Sequence, residues 1–157
     1  MKKLLFACVV IYLTGNVQAE NPDAGQVRLP SEHRCVSPAY ADTVGIIDLL
    51  RNVNRQKPTT EEQKQLTEKI DGNLQQSLFL YHLQDSVTEQ PPFPEILTLI
   101  GESGIPVRAM TKHNLKLTIF FQKKDLQGAI GAAKHIARTD LSDMAMQDWF
   151  VFGKFVN

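Results

Sequence analysis

The chain has little cysteine, no block of like charge and no long hydrophobic run, and each shortage narrows what it can be. Its two cysteines are Cys8 and Cys35. Too few remain for a disulfide scaffold, and neither a C-x-x-C redox pair nor a cysteine zinc site can be written. Seventeen Lys and Arg balance seventeen Asp and Glu. No basic stretch stands out, which argues against a nucleic-acid partner held through phosphates. The longest apolar run, Leu4 to Leu13, has ten residues. A helix of that length reaches about 15 Å, half the hydrocarbon thickness, so no stable membrane insertion is expected.

What is present begins with Met1 to Ala19. Lys2 and Lys3 precede the apolar run, Thr14-Gly15-Asn16 breaks it, and Val17-Gln18-Ala19 precedes Glu20. This is the layout of a cleaved secretory signal peptide, and it predicts a periplasmic protein starting at Glu20. Leu5-Phe6-Ala7-Cys8 faintly resembles a lipobox, but Phe6 is too bulky and only seven residues precede Cys8. After cleavage 15 basic residues face 17 acidic ones, a formal charge of −2. Cys35 is then the sole mature cysteine. It is either a buried apolar thiol or one paired with a partner chain.

Four segments are expected: a signal peptide at 1–19, a flexible leader at 20–36, a helical hairpin at 37–75 and an α+β domain at 76–157. Ser37-Pro38 starts the first helix, with serine as cap and proline in the first turn. Thr59 with Glu62, or Thr60 with Gln63, fits a capping box for the second helix, whose stripe is Leu66, Ile70 and Leu74. From Ser77 the order reads strand, helix, strand, strand, helix, strand. The strands are Ser77–Leu83, Ile105–Met110, Leu115–Phe121 and Trp149–Val156. Phe93 to Gly104 and the segment after Asp125 supply the helices. That is a ferredoxin-like βαββαβ order, with a thioredoxin-like α/β arrangement as the alternative.

No local constellation carries chemistry. His33, His82, His113 and His135 are too far apart in sequence for a local metal pair, so no metal and no cofactor are expected. Glu102-Ser103-Gly104 is a helix stop rather than a nucleophile elbow. Gly128 and Gly131 lack the third glycine of a dinucleotide loop and read as a thin packing face. Asp140, Asp143 and Asp148 fit a helix cap and first turn. No catalytic residue is assigned. Cys35, Phe150 and Phe152 are the candidate partner contacts, because Trp149 to Val156 places aromatics on both faces of the expected strand.

The helix-then-ferredoxin-like layout is similar, at fold level, to periplasmic parts of type IV pilus and type II secretion scaffolds. Ser77–Met110 resembles the cysteine-less thioredoxin-like proteins of conjugative pilus assembly. Neither likeness carries a motif, and no family is assigned. The expectation is a non-enzymatic accessory of an envelope-spanning secretion, conjugation or pilus machine. Its partners would be other envelope proteins or a second copy of the chain. A periplasmic inhibitor or immunity protein that binds a toxin or hydrolase is the alternative, and an enzyme with a site built from distant residues is a third class.

Overall fold

A computed structural model describes residues 26–29, 34–56, 58–84, 89–138, 141, 142 and 144–156. The expected signal peptide, Cys8, His33, Asp140 and Asp143 lie outside them. Two short antiparallel strands, β1 (Val27–Leu29) and β2 (Arg34–Val36), pair Val27 with Val36 and Arg28 with Cys35. They fall within the stretch read as a leader. Among the described residues six helices follow: α1 (Pro38–Gln56), α2 (Thr60–Leu83), α3 (Phe93–Ser103), α4 (Ala109–Gln122), α5 (Leu126–Ile136) and α6 (Met146–Val156).

The first two helices start on the expected caps. Tyr40 N–H donates to Ser37 Oγ at 3.2 Å. Thr59 and Glu62 complete both halves of a capping box, the Thr59 N–H donating to Glu62 Oε2 at 2.9 Å. Buried Ile46, Leu50, Ile70, Leu74 and Leu78 bring α1 and α2 together, and α1 also packs on α3 through Phe93 and Ile96. Ser77 is fully buried and donates its hydroxyl to the Ala39 carbonyl at 2.9 Å, which satisfies it at the α1–α2 seam. The second helical layer is α4, α5 and α6, with Met110, Leu117, Ala133, Ile136 and Phe152 as a separate apolar cluster.

The α+β domain is overturned: the fold is mostly helical, and β1–β2 is the sole sheet among the described residues. Neither the ferredoxin-like order nor the thioredoxin-like alternative survives. Each misread segment has a physical reason. Ser77–Leu83 prolongs the α2 stripe, since Ile70, Leu74, Ser77, Leu78, Tyr81 and His82 are buried at spacings of three and four. Gln75-Gln76 does not interrupt a helix, because glutamine is a good helix former.

Leu115–Phe121 alternates in hydropathy, yet Thr118 is fully buried and Phe121 is 56% exposed. The buried set Thr111, Asn114, Leu115 and Thr118 has the helical period, and Leu117 faces the second cluster. Trp149–Val156 lies within α6. Asp148, Val151 and Phe152 are buried while Trp149 is half exposed, so its aromatics were spread around a helix rather than across two strand faces. Ile105–Met110 is no strand either. Gly104 ends α3 at φ 66°, in the left-handed region that glycine adopts without steric cost, and α4 begins at Ala109.

A polar network fastens the two layers. Arg108 pairs with Asp148 of α6 and lies 3.5 Å from the Asp71 carboxylate of α2. The Arg108 N–H donates to Asp71 Oδ1 at 3.1 Å. Gln75 Nε2 donates to Asp71 Oδ2 at 2.7 Å, and Asn114 Nδ2 donates to Asp148 Oδ1 at 3.2 Å. Asp148 also accepts the Ala145 N–H at 3.0 Å, capping α6. No helix among the described residues is long and apolar enough to cross a membrane.

Candidate functional site, an apolar cleft beside His82

The C-terminal ends of α2, α4 and α6 meet the N-terminal end of α5 around a cleft of about 730 Å³. That volume lies within the range of pockets that hold drug-sized ligands, about 300–1,000 Å³. Its walls are built by helix ends that stop early. α4 closes in a Schellman motif, with Asp125 N–H donating to Phe120 O at 2.9 Å and Lys124 N–H to Phe121 O at 3.0 Å. The left-handed residue of such a motif is usually glycine. Here it is Lys124, at φ 57°.

Asp125 then caps α5 by accepting the Gly128 N–H at 2.9 Å. Gly128 is required by close approach: a Cβ there would lie 2.5 Å from Phe120 Cδ1. Gly131 faces open space, so the thin face expected of both glycines is used by one. Leu126 stands 69% exposed at the cleft, while Ala129, Ala133 and Ile136 are buried.

His82 forms the floor. It is 9% exposed and surrounded by rings: Tyr81 at 5.2 Å, Phe155 at 5.4 Å and Phe121 at 5.6 Å between centroids. Its Nε2 lies 2.9 Å from Thr118 Oγ1, and that hydroxyl donates to the Asn114 carbonyl at 2.9 Å. With the hydroxyl proton committed, Nε2 carries the hydrogen and donates to Thr118. Burial first, and the Lys154 charge second, hold the His82 pKa down at about 4. The imidazole is therefore neutral near pH 7. Lys124 and Lys154 put two cations at the walls, and Gln122 anchors one lip by donating to Pro91 O at 3.0 Å.

The three candidate partner contacts are dispersed. Cys35 is exposed on β2. Phe150 is partly buried, edge-on to Phe79 at 4.9 Å, with Lys154 Nζ 5.2 Å from its centroid. Phe152 is 6% exposed inside the second apolar cluster, where it has no surface to offer a partner. The structure instead assembles Tyr81, His82, Phe121, Leu126 and Phe155, which sequence spacing did not group. The signal for them was the helical stripe of α2, which runs on through Tyr81 and His82. No family model, curated protein or solved structure matches the chain.

Proposed function

We propose that the protein is an exported, non-enzymatic accessory of a cell-envelope secretion, conjugation or pilus assembly, and that the cleft beside His82 holds an apolar segment of a partner protein flanked by acidic residues. The observation that carries the reading is the cleft itself: exposed Phe121 and Leu126 beside two lysines. A concave, mostly apolar cleft with a few convergent polar groups is the usual form of a binding site. Lys124 and Lys154 outnumber the one carboxylate of the cleft, Asp125, so the charge favours an acidic partner over a basic one. Lys124 adds to this: a non-glycine residue in the left-handed region is strained by about 1–2 kcal/mol, and such strain concentrates at ligand clamps.

Export rests on the Met1–Ala19 pattern alone. The likeness to particular pilus and secretion scaffolds fell with the ferredoxin-like layout and gives no support. The test is site-specific photo-crosslinking from positions 121 and 126 in the envelope fraction of the native host, with position 64 on exposed α2 surface as control. The expected result is an adduct to an envelope-assembly component from 121 and 126 that a Lys124→Glu, Lys154→Glu variant loses. A cytoplasmic protein retaining Met1, or equal adducts from all three positions, would overturn the proposal.

A further inference from the structure

The fold brings together two histidines that the sequence keeps apart. His113 on α4 and His135 on α5 have ring centroids 5.1 Å apart, with planes at 64°. Imidazole nitrogens bind borderline divalent ions at about 2.1 Å, and the nitrogen lies about 1.2 Å from its ring centre, so each centroid sits about 3.3 Å from a shared ion. A near-tetrahedral angle of about 105° then separates the centroids by about 5.2 Å. The centroid spacing found matches what a chelating pair requires, with rotation of the two rings left to aim a nitrogen of each at the ion.

The pair also stands on a rigid base. On α4, Met110 and Leu117 are buried one turn to either side of His113, and on α5 Ala133 and Ile136 flank His135. All four belong to one packed cluster, which fixes the distance between the two helices. His135 is exposed and His113 half-buried, so an ion can reach both.

We propose that His113 and His135 form an open, two-nitrogen site for a borderline transition ion, bound most tightly as Cu²⁺ and less tightly as Zn²⁺ or Ni²⁺. The order follows the general affinity series for nitrogen ligands, and hard ions such as Mg²⁺ are excluded by the absence of oxygen donors in the pair. Among the described residues no third His, Cys, Asp or Glu joins them in a metal-binding group. The remaining coordination positions therefore go to water or to a donor from another molecule. Nearby Lys116 opposes a cation and keeps the affinity moderate. The site belongs to the α4–α5 pair and does not depend on the cleft proposal.

The test is calorimetric titration of the full-length, chelator-treated protein with CuCl₂, ZnCl₂ and MgCl₂. A Cys8→Ser, Cys35→Ser background keeps both thiols from binding or reducing copper. One equivalent of Cu²⁺ is expected, with weaker Zn²⁺ binding and none of Mg²⁺. Each of His113→Gln and His135→Gln should weaken Cu²⁺ binding at least tenfold. The copper electron paramagnetic resonance spectrum should pass from two nitrogen ligands to one in either variant. Melting without metal checks that both variants fold. Unchanged Cu²⁺ affinity in both folded variants, or no binding at 1 mM ion, would overturn the proposal.

Discussion

Acidification should weaken the fold through His82, and the size of the effect follows from its surroundings. In the unfolded chain the imidazole titrates near 6.5, whereas in the fold burial and Lys154 hold it at about 4. Between those values the unfolded chain carries the extra proton, so stability falls as pH drops. Above pH 6.5 the ring is neutral in both states and the contribution is whole. Below about 4 it is charged in both and the loss is complete.

Each pH unit in that window is worth about 1.4 kcal/mol, so the total is on the order of 3 kcal/mol. A domain of this size is stable by about 5–15 kcal/mol, so the loss is readily measured. The assay is urea unfolding at pH 7.5, 6.5, 5.5 and 4.5, followed by far-ultraviolet circular dichroism, for the parent and His82→Gln. Glutamine does not titrate and keeps a donor for Thr118. Other shifted groups, such as His113 and Asp42, are common to both proteins. The parent should lose stability more steeply between pH 6.5 and 4.5. Parallel curves for the two proteins would refute the argument.

Three further outcomes are expected. Lys124→Gly should raise the melting temperature by relieving the left-handed backbone, a gain of about 1 kcal/mol, while weakening capture of an acidic partner. A fall in stability would show that the lysine side chain holds the turn. Phe152→Ala should cost roughly 3–5 kcal/mol by opening a cavity among Met110, Leu117 and Ile136, read by thermal melts; a cost under 1 kcal/mol would contradict its packing. Thr59→Ala should cost about 1 kcal/mol by removing the hydroxyl half of the α2 capping box while the backbone N–H bond to Glu62 remains, and denaturant midpoints with unchanged slope would measure it.

Local signals were legible and their extent was not. Ser37-Pro38, the Thr59–Glu62 box, the glycine stop at Gly104 and the Asp125 cap all act where the sequence puts them, because each depends on a few neighbouring residues. The strands failed because short apolar runs satisfy both periods. SLFLYHL continues a stripe that passes through Leu74, one turn earlier, and taken alone it fits a strand as well as a helix. In Leu115–Phe121 the misleading residues were Thr118, a polar group buried through its bond to His82, and Phe121, an apolar group left exposed at the cleft. The site was illegible for the same cause: Phe121 and Leu126 face outward while His82 and Thr118 face in. The pairing of His113 with His135 depends on how α4 and α5 pack, which no spacing along the chain encodes.

The network around Arg108 has a consequence for how the chain acquires its structure. Asp71, Arg108 and Asp148 come from α2, the entry to α4 and α6, so the carboxylates on either side of one guanidinium are contributed early and late in the chain. Before α6 docks, Arg108 lacks Asp148, and the apolar cluster around Leu117 lacks Phe152. An intermediate made of α1 to α5 is thus short of both a charge partner and a core side chain at the same time. The two losses are repaired in one event, the arrival of α6. The second layer is thereby coupled to α6, so truncation before Met146 should cost it a charge partner and a core side chain together.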